Sequence, residues 1–306
     1  MAGFATLPAS ASFSGTMIPQ LWAPKAQIKF YERTIMNQIA NTNYEGMITK
    51  FGDTVTINKT PDITVDDYVE GQDIDYELPA ADTSELTLDK GLHYAFRIPD
   101  VSKKQSIIEF MDDWSDDGAK QMKIKLERNI YADIYTDVAA ANTGATAGAL
   151  SGDIDLGASG APLVFTRANA IELLVERAAT VLDEQDIPDE DRWIILPAWA
   201  CARLKNSDLK DACLTGDGKS TLRTGFIGMI DRFKIFQSNL LYVTAADSAI
   251  NALFGHKSAL TFASQLVINE TLRNQKTFGD LVRGLQVYGY SVEKDDAIGR
   301  LYIAKS

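Results

Sequence analysis

LDEQDIPDEDRWIILPAWACARL, residues 182–204, passes from helix to strand to helix within 23 residues. Leu182 closes an apolar stripe of Ile171, Leu174, Val175, Ala178, Val181 and Leu182. That stripe predicts a helix over Thr166 to Glu184, with Thr166 as its cap. Pro188 cannot donate a helical hydrogen bond, so the acidic run Asp183 to Asp191 is a turn. Trp193-Ile194-Ile195-Leu196 is then a continuous apolar run between charge and Pro197. Such a run marks a strand buried on both faces rather than one. Pro197 presets a helix start, and Ala198 to Asn206 continues as one.

Outward from this block, Lys234 to Phe236 and Ala252 to Phe254 read as strands, and His256 to Gln265 as a helix. Leu266 to Leu272, Leu285 to Glu293 and Leu301 to Ile303 read as closing strands. Upstream, Ile107, Met111, Trp114, Gly118, Met122, Leu126, Ile130, Ile134 and Val138 recur every three or four residues. They predict one helix over 106–141, roughly 50 Å long at 1.5 Å per residue. The Gly/Ala/Ser-rich stretch 142–161 reads as a linker. Val55 and Ile57, and later Tyr94, Phe96 and Ile98, alternate with polar neighbours and predict two strands framing a long excursion. Residues 1 to about 24 are rich in Ala, Ser, Gly and Pro and read as an extended arm, followed by a short helical stretch to Ala40. Helices and strands mix without a βαβα repeat, which makes the class α+β.

The chain has 306 residues, 45% apolar and 24% charged, an ordinary globular composition with ample surface to bury. Thirty Lys and Arg against 42 Asp and Glu give a formal net charge of -12. That balance disfavours general binding to a phosphate backbone, and no interleaved basic and aromatic surface offsets it. Cys201 and Cys213 cannot form a disulfide framework, and with His93 and His256 they are too few for a zinc site. No apolar run reaches the ~18 residues of a membrane span. The first positive charge is Lys25, so no basic leader is expected and the chain is expected to stay in a reducing cytosol.

Familiar catalytic patterns fail on spacing. Gly216-Asp217-Gly218-Lys219-Ser220 ends like a phosphate loop, but Cys213 occupies the place of the first glycine. Asp153 and Asp155 begin like a calcium loop, yet Ala158 stands where the turn glycine belongs. Both histidines lie in apolar sequence, which predicts structural roles. Asp112-Asp113, Asp116-Asp117 and Asp183-Glu184-Asp186 could supply paired carboxylates, but acidic helix ends account for them equally well. No cofactor, metal or catalytic residue is assigned.

The charge is strongly uneven. Between Pro61 and Asp89 lie ten acidic residues and no Lys or Arg. Either the segment is a solvated hairpin, or it lies on a basic surface of another subunit. The second reading pairs Asp66, Asp67, Glu70, Asp73, Asp75 and Glu77 with Lys120, Lys123, Lys125 and Arg128 of a neighbour's long helix.

Residues 182–204 resemble a recurring segment of the major capsid proteins of tailed double-stranded DNA bacteriophages. Gly225 to Leu240 (GFIGMIDRFKIFQSNL), Phe254 to Gln265 (FGHKSALTFASQ) and Val282 to Val292 (VRGLQVYGYSV) resemble later segments in the same order. Asp231-Arg232 departs from the glycine such proteins often carry before the aromatic strand residue. The resemblance implies an N-terminal arm over 1–45 and an extended two-stranded loop over 46–98. It implies a peripheral domain from 99–165 and 261–306 with a spine helix over 106–141, and an axial domain over 166–260. It further implies self-assembly into hexamers and pentamers of an icosahedral head enclosing DNA, with a separate scaffolding protein, a portal and decoration proteins as partners and no membrane. Two alternatives remain open at this point: an encapsulin-like compartment, and a cytosolic enzyme using paired carboxylates.

Overall fold

In the computed structural model, residues 31–32, 34–44, 54–61, 63–68, 70–71, 73, 76–79, 82–100, 110–207, 228–275 and 277–305 are described. In chain order the helices are α1 (Met36–Ile39), α2 (Phe110–Asp133), α3 (residues 170–183) and α4 (Ala198–Lys205). The strands are β1 (Thr54–Lys59), β2 (Asp82–Thr87), β3 (Lys90–Pro99), β4 (Leu163–Phe165), β5 (Arg192–Leu196) and β6 (Met229–Ile230). They continue with β7 (Phe233–Gln237), β8 (Val243–Thr244), β9 (Ala249–His256), β10 (Leu260–Arg273), β11 (Gly279–Val292) and β12 (Ile298–Lys305).

All five residues of β5 are buried, and they alternate between two cores. Trp193 and Ile195 face a cluster with Ile124, Ile130 and Tyr131 of α2, with Ile134 just beyond its end, and with Ile35, Met36 and Ile39. Ile194 and Leu196 face a second cluster with Leu173, Leu174 and Ala178 of α3 and Ala200, Cys201 and Leu204 of α4. A strand with apolar cover on both sides needs an unbroken apolar run. It sits inside a mixed seven-stranded sheet of order β4-β12-β9-β5-β7-β6, with β8 on β9. The β5–β7 and β4–β12 pairs are parallel, and β12–β9 and β5–β9 antiparallel.

α3 is α-helical over Ala170–Glu172, π-helical over Leu173–Ala179 and α-helical again over Thr180–Asp183. The pairs Leu173-Leu174 and Ala178-Ala179 are five residues apart and all buried. A widened turn puts both on one face, which a 3.6-residue period does not. Ile171 and Val175, expected on the buried stripe, are consequently only half-buried. The Thr166 hydroxyl accepts the Asn169 N–H (3.3 Å), capping the turn that leads into the helix.

Four expectations require correction. The long helix ends at Asp133, so it spans about 36 Å over 24 residues, and a 3₁₀ turn (Ile134–Thr136) follows. The two strands expected to frame the excursion do not pair with each other: β1 pairs with β2, Thr54 opposite Thr87 and Lys59 opposite Asp82. Strand β3 belongs instead to a three-stranded antiparallel sheet, β10-β11-β3. The segment His256 to Gln265 is no helix but a tight turn into β10, because the buried run Leu260 to Ala263 pairs with Gly289 to Val292. The 142–161 stretch is packed, not a free linker. Ala147 and Leu156 are fully buried, and the Asn142 side-chain amide donates to the carbonyls of Asp296 (2.5 Å) and Ile298 (3.0 Å). In addition, β12 lies in the seven-stranded sheet, which moves residues 298–305 away from the expected peripheral grouping.

The extended loop is anchored where β2 crosses β11. Leu86 and Leu88 pack on Ala263 and Val287, and a Cβ on Gly289 would lie 2.1 Å from the Thr87 carbonyl oxygen. Gly289→Ala is therefore expected to destabilise the subunit by about 1–3 kcal/mol, the usual range for overpacking. Thermal denaturation of the unassembled subunit checks this, and an unchanged midpoint would show that the crossing can open without cost.

Candidate assembly surfaces

Beyond Lys59 and before Asp82 the loop runs as two irregular limbs, bridged where the Thr64 N–H donates to Glu77 (3.1 Å). Asp66, Asp67, Glu70, Asp73 and Glu77 are exposed, while Asp75 lies outside the described residues. The same limbs expose large apolar side chains: Val65 is 91% accessible, Tyr76 93% and Leu78 94%, with Ile63 and Tyr68 also open. Exposed apolar residues concentrated on one segment mark a surface that another molecule covers. Charge counting passed over them, although the alternations Ile63/Val65 and Tyr76/Leu78 carry the signal.

The basic set sits on α2, and all four of its members are exposed. The Lys120 ammonium lies 4.8 Å from the centre of the Tyr31 ring, and Arg128 pairs with Glu32 at 3.3 Å. The Tyr31 hydroxyl donates to Asp117 (2.9 Å), and burial with this acidic neighbour raises its pKa. Lys123 borders a recess of about 260 Å³ beside residues 34–38. Lys125 shares a second recess with Tyr31, Glu32 and Arg128. Among the described residues no ion pair joins this set to the acidic loop of the same chain.

Beneath the basic face, Glu127 is 2% exposed. Its Oε1 accepts the N–H groups of Ile35 (2.5 Å) and Met36 (2.7 Å), two donors that α1 leaves unsatisfied at its start. Tyr131 donates to Oε2 at 3.4 Å. Burial raises the Glu127 pKa, although these three hydrogen bonds oppose the rise. A glutamate within KLER reads as solvated, so nothing in the sequence singled it out.

No protein-family model matches the sequence, and neither does any curated protein. Solved structures do match it over nearly its full length. A chain of Mycobacterium phage Che8 has 24% identity and a TM-score of 0.74, covering 96% of this chain and 100% of that one. A chain from the capsid of cyanophage P-SCSP1u has 15% identity and a TM-score of 0.72, over 99% and 100%. One from the mature capsid of bacteriophage PhiM1 has 12% identity and a TM-score of 0.66, over 99% and 100%. The chain has the tailed-phage capsid fold.

Within the capsid fold, the acidic turn of residues 182–192 is a structural clamp. Arg192, 1% exposed, donates through Nε to the Pro188 carbonyl (2.9 Å), through one terminal nitrogen to Asp183 (2.6 Å) and through the other to the Ile187 carbonyl. Arg232 binds Asp183 and Asp189, both at 2.6 Å, from the β6–β7 turn. There Asp231 adopts φ +51°, the left-handed conformation that glycine would otherwise supply. Glu184 accepts the N–H groups of Leu150 (2.9 Å) and Ser151 (3.2 Å), which hold its carboxyl below the usual range. Of the carboxylates considered for acid and base chemistry, Asp183 and Glu184 are thus engaged in holding turns. Burial pushes the Cys201 thiol up to about 11, and burial also lowers the His256 imidazole, whose Nδ1 accepts the Ser258 N–H (3.1 Å). Among the described residues no cluster of three or more His, Cys, Asp or Glu could hold a metal ion, and no helix is long and apolar enough to cross a membrane. The GDGKS motif lies outside the described residues.

Proposed function

We propose that this chain is the major shell subunit of a tailed-phage head, assembling with copies of itself in the host cytoplasm as hexamers and pentamers around double-stranded DNA. The observation that carries the reading is the match to phage capsid structures over nearly the whole of both chains. The exposed apolar limbs of the acidic loop support it, since a shell subunit works by contact area rather than by a pocket. Residues 1–45 serve as the arm and 46–98 as the extended loop. Residues 99–162 and 261–297 make the peripheral domain, and 163–260 with β12 the axial one, since β4 pairs with β12 in the same sheet. Scaffolding, portal and decoration proteins are the expected partners.

Sedimentation velocity with electron microscopy on the expressed protein tests this. Closed shells, tubes or sheets are the expected products, with or without a scaffolding protein. A small oligomer that persists in the presence of a scaffold candidate would overturn the reading.

Within the shell, the acidic loop lies over the α2 helix of a neighbour and meets its basic face. Lys120 and Arg128 have partners in their own chain, so Lys123 and Lys125 are the residues left to test. Lys123→Glu with Lys125→Glu is expected to weaken assembly, most at low ionic strength where exposed charges are least screened. Light-scattering assembly curves at two salt concentrations measure it, and wild-type behaviour at both would exclude the pairing.

A further inference from the structure

A cleft of about 900 Å³ lies where the base of the extended loop faces the body of the subunit. Lys59 and Glu77 line it from the loop, and Thr261, Glu293, Lys294, Asp295 and Asp296 from the body. Its charge is four carboxylates against two ammonium groups. Two groups in its wall are anomalous. The Thr261 hydroxyl, on a residue 1% exposed, has no hydrogen-bond partner, and neither carboxylate oxygen of Glu293 has one, although both are shut off from solvent. A shielded carboxylate without a donor or counter-ion is strongly unfavourable, so a native site of this kind calls for a cation.

The backbone offers no relief. The Glu293 N–H is bound to the Ala259 carbonyl (2.8 Å) at the end of β11, which holds the residue in place. Lys59 and Lys294 line the same cleft without pairing with Glu293. A metal ion is poorly served, because no three metal-ligating side chains converge among the described residues. A lysine or arginine side chain needs only one carboxylate and one neighbouring acceptor, which Glu293 and Thr261 provide.

We propose that the cleft opens on assembly to receive a basic side chain of a second copy of this chain, which pairs with Glu293 and hydrogen-bonds to Thr261. Copies of the chain present exposed cations on α2, and Glu77 joins the cleft to the acidic limb that would lie against them. The inference rests on the shell reading and adds to it a specific buried contact, unmet in the free subunit and made in the assembled one.

The contact gives opposite signs for one substitution. Glu293→Gln removes an uncompensated charge from the free subunit, so its thermal midpoint should stay level or rise. The same change deletes the counter-charge in the shell, so the critical concentration for assembly should rise about tenfold, as expected for losing a charge-assisted hydrogen bond. A fall in the free subunit's midpoint would show that Glu293 is already satisfied there and would overturn the proposal, as would an unchanged critical concentration. A wild-type shell that dissociates in a chelator and re-forms with calcium or magnesium, while Glu293→Gln is insensitive to both, would assign the site to a metal ion and overturn it too. Failure of the wild type to assemble at all strikes the shell reading itself, and the inference with it, and is distinguishable from these results because the wild-type control reports it directly.

Discussion

Arg192→Ala will lower the stability of the unassembled subunit by about 3–5 kcal/mol, the range for breaking a buried ion pair by removing one partner. The guanidinium is almost wholly buried, and it satisfies the carbonyls of Ile187 and Pro188 as well as Asp183. Deleting it leaves both carbonyls without their donor at the entry to β5, the strand on which both cores depend. Arg232 retains Asp183, so the loss is shared between orphaned carbonyls and lost packing rather than falling on the carboxylate. Arg192→Lys should recover little, because one ammonium cannot reach three acceptors that the planar fork meets together. Urea denaturation gives the difference, and a loss below about 1 kcal/mol would show that the turn is held by Arg232 alone.

Glu127→Ala should cost about 2–3 kcal/mol by stranding two buried N–H groups, while Glu127→Gln keeps an acceptor for both and should be neutral or stabilising at pH 7. The pH dependence separates charge from shape. The Glu127 pKa is raised in the folded subunit above its ordinary value of 4.5, so ionisation opposes folding. Relative to the Gln variant, the wild type is most stable below that value and loses ground as pH rises through the folded pKa. Above it the difference is constant. Stability curves of both proteins from pH 4 to pH 8 test the sign, and parallel curves would mean that folding does not change the proton affinity of the carboxylate.

Legibility followed the physics of burial. The run Trp193 to Leu196 was readable because a strand covered on both faces has one compositional solution. The helix Ala198–Lys205 followed because Pro197 presets its start. The turn at His256 was misread because Leu260 to Ala263 is equally apolar as helix or strand, and only its pairing with β11, some 30 residues on, decides between them. The partner of β1 was not legible for a related reason: alternation identifies a strand but carries no information about which strand it meets. The long helix was overextended past Asp133 because Val138 keeps the period, whereas the Ala139 N–H is taken by the Asp295 carbonyl from outside the helix. At the surfaces, charge runs were visible at once. Glu127, Thr261 and Glu293 were not, since a residue's partners, or its lack of them, exist only after the chain has folded.

The place of β12 orders events in time. It lies between β4 and β9 and pairs with both, so β4 has no partner strand and β9 is open on one side until residues 298–305 have been synthesised. Pairing that spans this much chain is slow relative to helix formation, and α2, α3 and α4 can form well before it. A nascent subunit accordingly carries an open sheet edge until synthesis has passed that point, and the final insertion of one eight-residue strand converts an unfinished body into one fit to meet its neighbours.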